Sequence, residues 1–239
     1  MENQTKKLTV LDIAKMIDHS LLRPDITQDE LLAGIELARE YNVASVCVRP
    51  CDVQISAEKL AGTDVLVGTV IAFPHGTNLT EVKVFEAQKA MDQGAIELDM
   101  VLPIGRLKSG EFDVVEGDIR AVVEAARAGS AIVKVILENS YLTNDEIVKA
   151  CQICEQAGAD YVKTSTGYAP SGAKLEDVKL MRQSCSPQVA VKAAGGIRTL
   201  DDVLEYRAAG TKRIGTRSTQ AILEEAAERD KAGTLEEIQ

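Results

Sequence analysis

The chain switches repeatedly between two hydrophobic periods. Leu8, Leu11, Ile13 and Met16 recur at helical spacing over 8–16, and the six residues after them, Ile17-Asp18-His19-Ser20-Leu21-Leu22, read as a first strand. A helix follows from Thr27, with Glu30 at the capping-box position, to about Tyr41. Strand two covers 44–48 and is closed by Arg49-Pro50; a short helix over 51–60 separates it from strand three, 65–73, which Pro74-His75-Gly76 ends. Thr80 opens a helix to about Gly94, strand four spans 95–102, and a long helix runs from about Glu111 to Ala128. Strand five is 132–138, a helix capped by Thr143 and Glu146 ends at Gly158, and strand six is the run 160–167. The last units are a helix over 174–185, strand seven over 189–196, a helix from Thr199 to Gly210, strand eight over 212–215 and a helix starting at Ser218. The tail from about Lys231 reads as loosely ordered.

Strand-helix units that alternate with no hairpin signal between them require parallel strands joined by helical crossovers. Eight such units in 239 residues fit a single (β/α)8 TIM barrel with an extra N-terminal helix, an α/β fold, with a doubly wound sheet as the rival. The expected layout is one domain over 1–239, with an N-terminal helix within 1–16, the barrel over 17–230 and a tail over 231–239. Polarity along the strands decides between the two folds. A parallel sheet covered by helices on both faces needs continuously apolar strands. Here Asp18, Glu97, Asp99, Lys134, Glu138, Lys163 and Lys192 each stand opposite an apolar face. Period two produces that pattern when one face packs on helices and the other lines a polar barrel mouth.

Charge narrows the partners. With 37 acidic and 27 basic residues the net charge is -10, which repels nucleic-acid backbones and anionic membrane surfaces. No run approaches the ~20 apolar residues of a membrane-spanning helix, and MENQTKKLTV at the N-terminus has no apolar segment behind its lysines. Five cysteines, an odd number, suit free thiols in a reducing compartment. The expectation is a cytoplasmic protein that binds neither nucleic acid nor membrane, with a homodimer as the default assembly. Cys151 and Cys154 form half of a zinc pattern, but there is no second CxxC and His19 and His75 are the only imidazoles, so no closed four-ligand site is assembled. Both histidines read as hydrogen-bonded structural groups, and no metal or cofactor is expected.

The sharpest chemistry sits in strands six and seven. In Asp160-Tyr161-Val162-Lys163-Thr164-Ser165-Thr166-Gly167 one face carries Tyr161, Lys163 and Ser165; in Val189-Ala190-Val191-Lys192-Ala193-Ala194-Gly195-Gly196 the lysine stands opposite the valines. A lone lysine at a strand end is usually solvated. Two on consecutive strands, each run ending in glycine, point to a site. A lysine near pKa ~10.4 is almost fully protonated at pH 7 and attacks no carbonyl; partial burial and a second ammonium disfavour its charge. Lys163 and Lys192 are expected to depress each other in this way, with Asp99 on the same face exchanging a proton through Lys192 or a bound water. That set suits imine and enamine chemistry. Gly195-Gly196 after strand seven and Gly215-Thr216-Arg217-Ser218 at the start of the last helix add backbone donors at the usual barrel phosphate position.

These residues carry a resemblance. Ile17-Asp18-His19-Ser20-Leu21-Leu22, Val46-Cys47-Val48 before a proline, Phe73-Pro74-His75-Gly76, Glu97-Leu98-Asp99-Met100-Val101, Lys134-Val135-Ile136-Leu137-Glu138, Val162-Lys163-Thr164-Ser165-Thr166-Gly167 and Val191-Lys192-Ala193-Ala194-Gly195-Gly196-Ile197-Arg198 resemble deoxyribose-phosphate aldolase over nearly the whole chain. The resemblance implies a metal-independent class I aldolase of deoxyribonucleotide catabolism. Such an enzyme reversibly cleaves 2-deoxy-D-ribose 5-phosphate to D-glyceraldehyde 3-phosphate and acetaldehyde. It implies a Schiff base on Lys163 and a proton relay of Asp99 and Lys192. The implied substrate-binding set is Lys134, Asp18, Cys47, Thr166, Gly167, Gly195, Gly196, Gly215, Arg217 and Ser218.

Two departures stand out. The family's last phosphate loop reads Gly-x-Ser-Ser, whereas this chain has Gly215-Thr216-Arg217-Ser218-Thr219; Arg217 either adds a guanidinium to the phosphate or points to solvent. Some members end in a catalytic tyrosine, and this sequence ends in Glu236-Glu237-Ile238-Gln239. The competing readings are another lysine-dependent sugar-phosphate aldolase, a sugar-phosphate isomerase, and a barrel that binds sugar phosphate without turning it over.

Overall fold

The alternating runs become eight parallel strands in a computed structural model that describes residues 6–238. They are β1 (Ile17–Leu21), β2 (Ser45–Val48), β3 (Leu66–Ile71), β4 (Glu97–Val101), β5 (Ile132–Ile136), β6 (Tyr161–Lys163), β7 (Ala190–Ala194) and β8 (Thr211–Thr216). Each pairs with the next, and β8 closes on β1 through Ile17↔Ile214 and Asp18↔Gly215. The helices are α1 (Val10–Ala14), α2 (Gln28–Glu40), α3 (Val53–Leu60), α4 (Thr80–Asp92), α5 (Ile104–Lys108), α6 (Phe112–Ala128), α7 (Asn144–Ala157), α8 (Leu175–Ser184), α9 (Leu200–Ala208) and α10 (Thr219–Lys231). Residues 1–5 of the expected N-terminal segment and Gln239 of the tail lie outside the described residues. Among the described residues no helix is long and apolar enough to cross a membrane.

Closure into a barrel explains the alternation of charge. Val46, Leu98, Val133, Val135 and Val191 take the outer face and are fully buried beneath the helices. Helix α6 packs on β5 and presents a buried stripe of Val115, Ile119, Val122, Val123 and Ala126. Each large apolar side chain so buried contributes about 1.5–3 kcal/mol, which offsets the cost of a charged interior. The register sets Asp99 beside Lys134 and Lys163 beside Lys192. Residues paired across parallel strands share a face, so these side chains all enter the barrel. The capping boxes at Thr27/Glu30 and Thr143/Glu146 form, and Thr199 is completed by Asp202; a cap of this kind is typically worth ~1 kcal/mol.

Thr80 opens α4 as read, with Leu79 at the N-cap position, and its hydroxyl donates to Asp118 at 2.8 Å. Three other local readings change. Strand β5 stops at Ile136 because Glu138 takes a left-handed φ of 57° and a 3-10 turn, Asn139–Tyr141, follows. Strand β6 stops at Lys163, since the Thr166 amide and hydroxyl turn to the Glu138 carboxylate and Gly167 follows with φ 89°. The tail is docked rather than loose: Leu235 is buried, its carbonyl accepts from Leu8 N at 3.0 Å, and Glu237 N donates to Lys6 O. Helix α5 carries no long apolar period, so nothing announced it.

Candidate active site

Four strands send cations into the barrel and two send carboxylates. From β4, Glu97 and Asp99 project inward because Leu98 and Met100 take the outer face; from β1 comes Asp18. Against them stand Lys134 of β5, Lys163 of β6, Lys192 of β7 and Arg213 of β8. The Lys134 ammonium lies 2.6 Å from Glu97 Oε2, 3.0 Å from Asp99 Oδ1 and 3.3 Å from Asp18 Oδ2. Lys192 lies 2.5 Å from Asp18 Oδ2 and 2.6 Å from Asp99 Oδ2. Arg213 forks between Asp18 Oδ1 and Glu97 Oε1. Lys163 has one carboxylate contact, Asp99 Oδ2 at 2.7 Å, and shares that oxygen with Lys192. The two ammonium nitrogens are therefore held close across a single acceptor atom.

The mouth above this floor is a cavity of about 380 Å³. Lys163, Lys192, Asp18 and Cys47 form its base, and Thr166, Gly167, Gly195, Gly196, Gly215, Arg217 and Ser218 line its walls. Gly195 and Gly196 both adopt left-handed φ, 89° and 86°. A Cβ on Gly195 would come within 2.9 Å of Gly172 Cα, whereas one on Gly196 would meet open space. The first glycine thus lets the loop before α8 close over β7, and the second leaves its backbone bare to the cavity. Ser218 occupies the N-cap position of the 13-residue α10 without capping it by its side chain, so this helix start faces the cavity with free donor capacity. Arg23, Arg198 and Arg217 stand at the rim, making the mouth cationic in a chain of net charge -10. Tyr168 crosses the mouth, donating from its hydroxyl to Leu22 O at 2.8 Å and meeting Phe73 edge-on at 5.5 Å.

Burial and neighbouring charge divide the lysines. Lys163 is 3% exposed; burial chiefly pushes its pKa down, Asp99 pulls it back, and Lys192 pushes it down again. For Lys192 burial also opposes the charge, but Asp18 and Asp99 together outweigh it and the pKa rises. Lys134 behaves likewise, with Asp18, Asp99 and Glu97 overriding burial. The expected mutual depression of the two lysines is therefore one-sided. Of the two, Lys163 holds its proton less firmly and Lys192 more firmly. Asp99 is held far below the usual carboxylate range: burial opposes its charge, but Lys134, Lys163 and Lys192 overcome it. Burial pushes the Cys47 thiol up to about 11, so it is a neutral wall at pH 7. His19 is held down to about 4 by burial, with Nδ1 2.8 Å from Thr219 Oγ1.

A model of the DeoC/LacD family aldolases matches residues 13–222. The chain belongs to this family. Deoxyribose-phosphate aldolase of Clostridium novyi (strain NT) is 51% identical over 214 residues, 90% of this chain and 96% of that relative. The enzyme of the same name from Thermoanaerobacter sp. (strain X514) is 52% identical over 216 residues, 90% of this chain and 97% of its own length. Among solved structures, the tetrameric deoxyribose phosphate aldolase of Aeropyrum pernix superposes with a TM-score of 0.82 at 33% identity, covering 90% of this chain and 91% of that one.

The family site gathers most of the residues expected from the sequence, with a difference of depth. Asp99 and Lys134 lie outside the cavity lining. Asp99 reaches the cavity through the two lysines it binds, whereas Lys134 lies below among three carboxylates. Arg217 is exposed and lines the cavity at its rim. Arg213, Arg23 and Tyr168 were not anticipated. Arg213 was readable, since it lies two residues before the inward Gly215 and so shares its face. Arg23 and Tyr168 lie in loops, where no period marks direction. Among the described residues no group of three or more histidine, cysteine or acidic side chains is placed to hold a metal ion.

Proposed function

We propose that this chain reversibly cleaves 2-deoxy-D-ribose 5-phosphate to D-glyceraldehyde 3-phosphate and acetaldehyde through an imine on Lys163. One observation carries the reading. Of the four cations in the ion-pair set of the barrel floor, Lys163 has the fewest carboxylate contacts, and it is the one that lines the cavity with a depressed pKa. The neutral amine adds to C1 of the open-chain aldehyde, and loss of water gives the imine. Removal of the proton from the C3 hydroxyl breaks the C2–C3 bond, and the electron pair moves into the protonated imine to form an enamine. Glyceraldehyde 3-phosphate leaves. Protonation at C2 and hydrolysis of the imine then release acetaldehyde and restore the amine.

Asp99 and the Lys192 ammonium, 2.6 Å apart, are the pair that takes the hydroxyl proton and returns one to C2, directly or through a water. Lys134 holds Asp99 in place from below. The phosphate is taken by the Gly195-Gly196 backbone and the start of α10, with Arg217 adding charge. The names of the relatives at 51% and 52% identity support the choice of sugar. The test is product formation from deoxyribose 5-phosphate compared with ribose 5-phosphate, fructose 1,6-bisphosphate and triose phosphates. Acetaldehyde released from the deoxy sugar alone supports the proposal; turnover of another sugar phosphate in its place rejects it.

A further inference from the structure

Arg213 plays no part in the bond-making steps above and is absent from the cavity lining, yet it binds two of the three carboxylates in the barrel floor. We propose that Arg213 is a positioning residue whose charge, set against Glu97, fixes from beneath the protonation state of Lys163. The inference rests on Lys163 being the imine-forming amine.

Charge balance in the barrel floor sets which amine is neutral. The floor links four cations, Lys134, Lys163, Lys192 and Arg213, and three carboxylates, Asp18, Glu97 and Asp99, into one connected network of ion pairs. Side chains of the three lysines and three acids are 4% exposed or less, so surplus charge there is poorly screened by water. Arg213 takes one oxygen of Asp18 and one of Glu97. The remaining oxygens then go to lysines: Glu97 Oε2 to Lys134, and Asp18 Oδ2 to Lys192 and Lys134. Lys134, Lys192 and Arg213 thus neutralise all three carboxylates before Lys163 is counted. A fourth positive charge is in excess, and Lys163, with only a shared oxygen of Asp99, holds its proton least firmly. Without the Arg213 charge the three lysines would match the three carboxylates, and Lys163 would retain its proton at neutral pH.

The groups acting on Lys163 are Asp99 from β4, Lys192 from β7, Cys47 from β2 and Glu138 beyond β5, with Asp18 of β1 in the same cavity; Lys134, Glu97, Tyr161 and Arg213 cluster with Asp18 and are tied to Lys163 through the carboxylates. Cys47 and Tyr161 are kept neutral by burial. Glu138, bound to Thr166, is common to every variant below and cancels from their comparison.

The experiment is the pH dependence of kcat/KM for retro-aldol cleavage in four variants beside the unsubstituted enzyme. The acid limb of that profile reports the free amine; the substrate phosphate titrates identically in all, so differences belong to the protein. Arg213→Met should move the limb to higher pH by on the order of one unit, and Glu97→Gln to lower pH by a similar amount. The double variant restores a single surplus cation and should return to the unsubstituted position, and Arg213→Lys should keep it. A merely structural Arg213 predicts lower rates with the limb unmoved, and a double variant worse than either single one; that result overturns the proposal. If Arg213→Met does not fold, Glu97→Gln decides: a limb that moves up or stays in place overturns it. Failure of the underlying reading shows separately, as no borohydride-trapped product on Lys163 of the unsubstituted enzyme.

Discussion

Replacing Lys163 by methionine is expected to end activity while leaving the fold as stable or more so. The amine is 3% exposed, and folding depresses its pKa from 10.5. Between the folded value and 10.5 the unfolded chain binds more protons than the native state, so stability rises with pH across that window: the penalty on the native state is fully present below the folded value and gone above 10.5. Each unit of that net depression, in which the pull of Asp99 is already included, costs about 1.36 kcal/mol. Methionine fills a similar volume without the amine, so a gain on the order of 1 kcal/mol is expected at pH 7. In a chain of this size that raises Tm by about 2–4 °C. The gain should fade as pH climbs toward 10.5, where the unfolded lysine also loses its charge. Lys192→Met should do the reverse: it strips Asp18 and Asp99 of their shared ammonium, at a cost of about 3–5 kcal/mol and a Tm lower by roughly 6–20 °C. Calorimetric melts of both variants at pH 7 and pH 9.5, beside the retro-aldol assay, read both effects. A Lys163→Met protein that melts as far below the unsubstituted enzyme as Lys192→Met refutes the claim that Lys163 is the surplus cation.

Three further outcomes are expected. Asp99→Asn keeps the shape of the acceptor bound by Lys134, Lys163 and Lys192 but removes its basicity; steady-state kinetics should show a loss of about 10²–10⁴ in kcat/KM. Arg217→Ser removes an exposed rim cation, so KM for the phosphorylated sugar should rise by at most about fivefold at low salt. That difference should shrink in concentrated salt, with kcat unchanged. His19 titrates at about 4 in the fold against 6.5 unfolded, so the unfolded state binds more protons between those values. Stability is therefore lost as pH falls through that window, by on the order of 3 kcal/mol in total. Urea unfolding at pH 7 and pH 4.5 should show that loss, and His19→Gln should flatten it.

Much of the barrel could be read before any coordinates because β4 alternates Glu97 and Asp99 with Leu98 and Met100, and only a closed layer with a polar interior asks for that pattern. The two lysine runs and the glycines after them placed the mouth. What stayed hidden was depth and closure. Nothing local tells that Asp18 on β1 meets Lys192 on β7 across the β8–β1 seam, and that contact turns Lys192 into a firm ammonium instead of a second depressed amine. Lys134 and Lys163 look alike in sequence. They differ in the structure because three carboxylates surround one and a single shared oxygen serves the other. The docking of Leu235 beside Leu8 joins segments from opposite ends of the described residues, a contact that no periodicity records.

The chemistry of the site depends on which amine is neutral. Reduction of the enzyme with borohydride in the presence of acetaldehyde, followed by peptide mass spectrometry at neutral pH, should find one modified lysine, at Lys163. Modification at Lys192 instead, or no trapped product at all, would contradict it.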